Sequence, residues 1–240
     1  MKLHEYQAKD LFQRYGIPVP RGSVATSPDQ AAQAARELSG PPWIVKAQVH
    51  AGGRGKGGGV KVVQSVEEVA SAAQNILDKP LVTKQTGSAG VRVHQVLVEE
   101  GIDIKQEYYL GMVIDRSACL PTFIFSQAGG MEIEEVAARS PEMILKEPVD
   151  PCVGWMPYQG RRLVYKLDPI PASETSRRLI GTMAGMYRLF QELDCSLVEV
   201  NPLVVTKSGE PVAVDAKITI DDNALFRQKA LVEFDDPREK

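Results

Sequence analysis

An alternating segment, Trp43 to His50, runs directly into the loop Ala51-Gly52-Gly53-Arg54-Gly55-Lys56-Gly57-Gly58-Gly59, and a second β-prone run, Val60 to Val63, follows. Trp43, Val45, Ala47 and Val49 occupy one parity and Lys46, Gln48 and His50 the other. A strand here buries the first set and presents the second to one side. Strands on both sides make the loop a hairpin-like connection held at each end. Six glycines within eight residues let backbone N–H groups approach an anion without Cβ interference, and Arg54, Lys56 and Lys46 add positive charge. Two readings fit this composition: a flexible surface loop, or a cradle for polyphosphate. The Gly-x-x-x-x-Gly-Lys-Ser/Thr pattern of a Walker A loop is absent, and no helical pattern follows immediately. Nor does the loop stand at a strand-to-helix turn with an acid about twenty residues on, as a dinucleotide fingerprint requires.

The 240 residues, 43% of them hydrophobic, are enough for one large domain or two small lobes. A net charge of −3 argues against a general nucleic-acid binder, so the basic loop is a local device suited to a small anion. Cys119, Cys152 and Cys195 show no paired spacing, which predicts free buried thiols in a reducing compartment rather than a disulfide frame or zinc site. The segment from Met1 to Tyr6 lacks the apolar core of a signal peptide, and no stretch approaches about eighteen consecutive apolar residues. The expected location is cytoplasmic.

Leu3, Tyr6, Leu11, Phe12 and Tyr15 recur at helical spacing, with Gly16 as the stop. Ser27-Pro28-Asp29-Gln30 combines an N-cap, an N1 proline and a box-closing glutamine, and opens a helix through Leu38. Ser65-Val66-Glu67-Glu68 repeats the signal for a helix through Leu77. Strands are expected over Val91 to Glu99, Lys105 to Ile114 and Thr122 to Ser126, and a helix from near Met131. A Pro/Gly-rich connection from Pro148 to Gly160 precedes a long amphipathic helix carrying Leu179, Ile180, Met183, Ala184, Tyr187 and Phe190. This irregular mixture lacks the strict alternation of a doubly wound sheet and predicts an α+β fold.

A second constellation lies where Val198 to Thr206 and Glu210 to Lys217 flank Lys207-Ser208-Gly209, the pattern of a β-hairpin with Gly209 in the left-handed position. Pairing Thr206 with Glu210 sets Asn201 opposite Asp215 and Glu199 opposite Lys217, all on one face. A carboxamide facing a carboxylate supplies hard oxygen ligands in the small number that Mg²⁺ needs when phosphates complete its octahedron. Lys217 then balances Glu199. The same residues also fit a solvated hairpin face with incidental Glu–Lys attraction, and a slip of one residue would turn one strand's polar set to the other face. Combined with the basic loop, the hairpin supports a division of labour in which one lobe holds phosphates and the other the bridging metal.

In chain order the sequence carries Leu3-His4-Glu5-Tyr6-Gln7-Ala8-Lys9, Gln48-Val49-His50-Ala51-Gly52-Gly53-Arg54-Gly55-Lys56, Pro157-Tyr158-Gln159-Gly160-Arg161, Glu199-Val200-Asn201-Pro202-Leu203 and Asn223-Ala224-Leu225-Phe226-Arg227-Gln228. Through these motifs the whole chain resembles the ATP-grasp portion of the β subunit of succinate–CoA ligases. The resemblance implies an α+β ATP-grasp fold of two lobes with nucleotide bound between them. The first lobe would comprise approximately residues 22–100, with the glycine-rich loop, and the second residues 1–21 and 101–240, with the metal-binding hairpin. It implies that Lys46 contacts the α- and β-phosphates and that Gly53, Arg54 and Gly55 form the phosphate loop. Glu99 and the backbone of Ile102 would hold the base from the hinge, with Glu107 nearby on the nucleotide, and Asn201 and Asp215 would bind Mg²⁺. Glu199 would lie where the phosphoryl group is passed and orient an acceptor histidine. Without the resemblance, Glu99 and Glu107 read as exposed strand acids.

The implied reaction begins with ATP phosphorylating a histidine of an α subunit, which also binds CoA. The phosphohistidine then phosphorylates succinate, and CoA displaces phosphate from succinyl phosphate. The expected partner is that α subunit, with no nucleic acid and no membrane. The chain's own histidines are His4, His50 and His94; His50 shares the parity of Lys46 and reads as a polar wall residue or as an alternative phosphoryl acceptor. β subunits of this kind continue into a flavodoxin-like domain, which is expected to be absent from these residues, with the linker to it at Asp236-Pro237-Arg238-Glu239-Lys240. Asp222 stands where a glycine is expected before Asn223, and Ile102 where a smaller residue is expected. Alternatives are a malate–CoA ligase β subunit and a free-standing nucleotide-binding module without chemistry. The Pro157 to Arg161 motif favours succinate. Pro20, which offers no side-chain donor near the expected base site, favours ATP without excluding GTP.

Overall fold

The computed structural model describes residues 1–235, so the linker expected at 236–240 lies outside the described residues. Along the chain the elements run α1 (Glu5–Arg14), β1 (Gly22–Ala25), α2 (Pro28–Glu37), β2 (Trp43–Ala47), β3 (Val60–Val63), α3 (Val66–Asp78), β4 (Val96–Glu100), β5 (Ile104–Asp115) and β6 (Leu120–Ser126). They continue with α4 (Ile133–Arg139), β7 (Ile144–Pro148), α5 (Pro157–Val164), α6 (Ser173–Glu192), β8 (Cys195–Thr206), β9 (Pro211–Ala213), β10 (Lys217–Ile220) and α7 (Lys229–Val232). These elements fall into two compact units, Pro20–Ile102 and Met1–Val19 with Asp103–Asp235.

The Pro20–Ile102 unit is built on a four-stranded antiparallel sheet in the order β1-β4-β2-β3. Its helices start where their sequences dictate. Ser27 Oγ accepts the Gln30 N–H at 3.3 Å and Ser65 Oγ accepts the Glu68 N–H at 3.1 Å, which satisfies donors the first helical turn would leave orphaned. The box-closing side chains reach one residue further back than expected, Gln30 accepting from the Thr26 N–H at 2.9 Å and Glu68 from the Gln64 N–H at 2.7 Å. Ala31, Ala34 and Ala35 of α2 and Ala72 and Ala73 of α3 share one core with Trp43, Val45, Val96 and Val98. Strand alternation therefore leaves Ile44, Lys46, Leu97 and Glu99 on the other face of the sheet. Strand β4 begins at Val96 rather than Val91. Val91 makes only an isolated bridge to Leu81, and the Gln95 carbonyl accepts the Gln48 N–H at 3.0 Å.

The other unit carries a six-stranded sheet in the order β10-β8-β5-β6-β7, with β9 also paired to β8 and every pairing antiparallel. Leu179, Met183, Tyr187 and Phe190, from the helical stripe that the sequence announces, lie in one core with Leu110, Met112, Val198 and Val200 of the sheet, where Met186 and Leu189 of α6 join them and Ile180 packs against the edge. The N-terminal segment is laced to β10: Leu3 N–H donates to the Ile218 carbonyl at 3.1 Å and Ile220 N–H to the Met1 carbonyl at 2.8 Å. Strand β7 and helices α5 and α7 are not in the sequence reading. Strand β7 forms an edge against β6, and α5 arises inside the supposed Pro/Gly-rich connection. Pro157 is a helix start at N1 rather than a breaker, and Gln159 fastens the start by accepting from Met156 N–H at 3.0 Å and donating to the Pro148 carbonyl at 2.9 Å. Of the three cysteines only Cys195 is buried, while Cys119 and Cys152 are exposed. The expectation of buried thiols fails for those two because they sit in surface turns.

Asn223 to Gln228 is a clamp on the chain entering β8. Arg227 Nε donates to Asp194 Oδ2 at 2.8 Å and its Nη2 to Asp194 Oδ1, and Gln228 Nε2 donates to Asp194 Oδ2 at 2.7 Å. Arg227 first, then Gln228, holds the Asp194 carboxyl below the usual carboxylate range. A lowered folded value means stabilisation that is present above the unfolded value of about 3.9 and lost as pH falls through the folded one. Asp194→Asn is therefore expected to be less stable near neutral pH by about 1 kcal/mol or less, because Arg227 is solvent-exposed. The gap should close on acidification below about pH 4, which urea melts across that range will read.

Candidate functional site

The glycine-rich loop closes a hairpin, with Trp43 paired to Val63 and Lys46 to Val60. Its second half is folded on itself: Gly57, Gly58 and Gly59 donate to the carbonyls of Gly53, Gly55 and Arg54 at 3.1, 3.2 and 2.8 Å. Gly52 N–H donates to Gln85 Oε1 at 2.7 Å. These bonds leave Gly53 to Lys56 as the turn of the loop between its two anchored ends. Arg54 Nη1 donates to the Ala47 carbonyl at 2.7 Å, tying the guanidinium to the end of β2. A Cβ on Gly57 would lie 2.6 Å from the Val82 carbonyl oxygen, so the loop rests directly on the 81–83 segment and only glycine fits there. Anchored at these points, it is not a flexible linker.

Lys46 Nζ lies 2.7 Å from Glu99 Oε2, with side chains 5% and 2% exposed. The register pairs Ile44 with Glu99 and Lys46 with Leu97, which makes Lys46 and Glu99 diagonal neighbours on one face. Glu99 is therefore a buried acid and not an exposed strand residue. Such a pair adds little net stability over an apolar one of similar volume; it sets a fixed cation and a fixed carboxylate next to the glycine loop. His50 is half-buried just past β2, and Ile102, also half-buried, closes this unit after β4.

In the other unit the hairpin has the register that its turn predicts. Thr206 N–H donates to the Glu210 carbonyl at 2.9 Å and Gly209 takes a φ of +84°. Leu203 pairs with Ala213 and Glu199 with Lys217. Between those pairs the ladder opens at a bend from Val214 to Ala216, and Asp215 sits in that bend at the level of Asn201. Asn201 Oδ1 accepts the Gly130 N–H at 2.8 Å while its Nδ2 donates to the Met131 carbonyl at 2.8 Å. Those two contacts fix which end of the carboxamide is oxygen. Asp215 Oδ1 accepts the Ala216 N–H at 2.9 Å.

Glu199 is mostly buried, 3.9 Å from Lys217 Nζ and 3.4 Å from the Tyr109 hydroxyl. Burial pushes its carboxyl up; Lys217 pulls it down, and the nearby charges of Glu134 and Asp215 push it up again. The Tyr109 phenol is likewise raised, by burial first and then by Glu199 and Glu134. Glu134, Glu199 and Asp215 thus form a region of excess negative charge. That electrostatic surplus and the hard oxygens of Asn201 and Asp215 suit Mg²⁺. Among the described residues no group of three His, Cys, Asp or Glu side chains is arranged to hold a metal.

The sequence reading missed the part played by Gly129, Gly130 and Met131. A Cβ on Gly129 would lie 2.5 Å from the Glu107 carbonyl carbon and the Tyr108 nitrogen, so this loop crosses the β5 backbone in contact and delivers Gly130 and Met131 to Asn201. Glu107, half-buried on β5, stands beside the same loop: its Oε2 is 3.3 Å from the Cβ position of Gly130. The Gly-Gly pair after β6 was the available signal. Tyr109 and Glu134 gave none, since a strand tyrosine and a helical glutamate are ordinary residues.

Residues 2–205 match the family model of the ATP-grasp domain, and the chain belongs to the ATP-grasp family. Curated relatives within it are β subunits of ADP-forming succinate–CoA ligases. That of Macrococcus caseolyticus is 50% identical over 244 residues, covering 100% of this chain and 62% of that protein. That of Halalkalibacterium halodurans is 50% identical over 244 residues, covering 100% and 63%. The chain thus spans somewhat less than two thirds of the length of these relatives. Among solved structures, the dinucleotide-forming acetyl-coenzyme A synthetase 1 of Ca. Korarchaeum cryptofilum, in complex with coenzyme A, Ca-AMPCP and HgCl⁺, aligns with a TM-score of 0.75 at 21% identity, covering 92% of this chain and 93% of that one. ATP citrate lyase from Methanothrix soehngenii aligns at 0.69 and 18%, covering 100% and 56%. Both share the fold. The ATP-grasp architecture and the β-subunit resemblance carried by the motifs are borne out.

Proposed function

We propose that this chain is the nucleotide-binding part of the β subunit of an ADP-forming succinate–CoA ligase. The observation that carries the reading is 50% identity to such subunits along 100% of the chain. In this reading Lys46 binds the α- and β-phosphates, Gly53, Arg54 and Gly55 present backbone donors and charge to the phosphate chain, and Glu99, the Ile102 backbone and Glu107 contact the nucleoside. Asn201 and Asp215 hold Mg²⁺, which when bound neutralises phosphate charge as the phosphoryl group leaves. The relatives' ADP-forming name favours ATP over GTP.

The phosphoryl group passes from ATP to a histidine nitrogen of an α subunit, which also binds CoA, then to succinate, and CoA finally displaces phosphate. Glu199 is proposed to accept an N–H of that imidazole and hold the attacking nitrogen in line, while Tyr109 and Lys217 keep its carboxylate in place. The covalent relay divides one hard condensation into easier transfers. No helix among the described residues is long and apolar enough to cross a membrane, in keeping with a proposed cytoplasmic location. These 240 residues alone are expected to bind nucleotide and to form no succinyl-CoA. Product formation from ATP, succinate and CoA without any added subunit, followed as the thioester by chromatography, would overturn the proposed dependence on an α subunit.

A further inference from the structure

The motif Leu3-His4-Glu5-Tyr6-Gln7-Ala8-Lys9 takes no part in the function proposed above, yet it ends at the bend that carries Asp215. Lys9 Nζ donates to the Val214 carbonyl at 2.7 Å and lies 2.8 Å from Glu5 Oε1, with the two side chains 6% and 2% exposed. From the other side Val214 N–H donates to the Pro202 carbonyl at 3.3 Å, one residue from Asn201. Helix α1 is itself fixed, since Gln7 Oε1 accepts the His4 N–H at 2.9 Å and the preceding residues are laced to β10. A lysine this buried is costly without a paired charge. Glu5, one helical turn back, supplies it.

We infer that Lys9 is a positioning residue for the metal site: its ammonium, charge-balanced by Glu5, holds the Val214 carbonyl and so sets the direction of the adjoining Asp215 carboxylate toward Asn201. The inference rests on Asp215 being a metal ligand. A charge-assisted bond to the Val214 carbonyl is the strong kind of restraint. Outer partners of metal ligands typically govern roughly 10–100-fold of metal affinity.

The test replaces both members of the pair by apolar residues, Glu5→Leu with Lys9→Met. ATP affinity is titrated calorimetrically with and without Mg²⁺, beside Asp215→Ala and with circular dichroism as the folding control. The double variant is expected to fold, to keep the metal-free ATP affinity and to lose roughly tenfold or more of the Mg²⁺-dependent strengthening. Wild-type strengthening in the folded double variant would overturn the inference. If Asp215→Ala also retained full strengthening, the metal assignment itself would fall; if only Asp215→Ala lost it, the role of Lys9 alone would. Should the double variant not fold, the Lys9 ¹⁵Nζ resonance of the unmodified chain decides: a shift on adding Mg²⁺ to the ATP complex supports the coupling, and an unmoved signal refutes it.

Discussion

Asp215→Ala is expected to abolish the Mg²⁺-dependent part of nucleotide affinity while leaving metal-free binding intact. Asp215 supplies the charged oxygen of a site whose other proposed protein ligand, Asn201, is neutral. Mg²⁺ gives up water reluctantly and is commonly held by one or two carboxylates plus substrate phosphates. Removing the one carboxylate should leave the ion bound as it is to nucleotide in water. The expected loss is about tenfold or more, or at least ~1.4 kcal/mol. Substitution should not unfold the unit, since Asp215 lies in the bend between β9 and β10 and not in the ladder. Calorimetric titrations with and without Mg²⁺ check this, and identical affinities for variant and wild type in Mg²⁺ would reject the assignment.

Lys46→Met is expected to have two separable effects. It removes one partner of a pair whose side chains are only 5% and 2% exposed, and breaking a buried pair from one side costs roughly 3–5 kcal/mol. At roughly 2–4 °C per kcal/mol for a chain of this size, Tm should fall by about 6–20 °C. It also removes the cation proposed to meet the phosphates, so ATP binding should be lost. Adding Glu99→Met tests the stability effect: stability should largely recover as the remaining charge is replaced, while binding, which both residues are proposed to support, stays absent. Thermal melts and titrations of both variants read each effect, and recovery of binding in the double variant would show that Lys46 is structural only.

Local features of the site were legible in the sequence because they depend on short-range rules. Parity placed Lys46 opposite in facing to Val45 and Ala47, and the Lys207-Ser208-Gly209 turn fixed the register that pairs Glu199 with Lys217. The cap signals at Ser27 and Ser65 located two helices to within a residue or so. The missing features depend on contacts distant in sequence. Lys9 meets Val214 across 205 residues and Asn201 meets Gly130 across 71, distances at which no pattern in one sequence speaks. Burial of Glu99 was hidden for a related reason, since a strand acid is buried only once its partner on another strand is known. Helix α5 was hidden by Pro157, which stops a helix or starts one depending on its position.

The most direct test of the central claim, that these residues form a magnesium-dependent adenine-nucleotide site, is calorimetry of the unmodified chain with ATP, ADP, GTP and GDP, each with and without Mg²⁺. ATP and ADP are expected to bind, with affinity strengthened by Mg²⁺ and exceeding that for the guanine nucleotides. Absence of measurable binding, or binding indifferent to Mg²⁺, would contradict it.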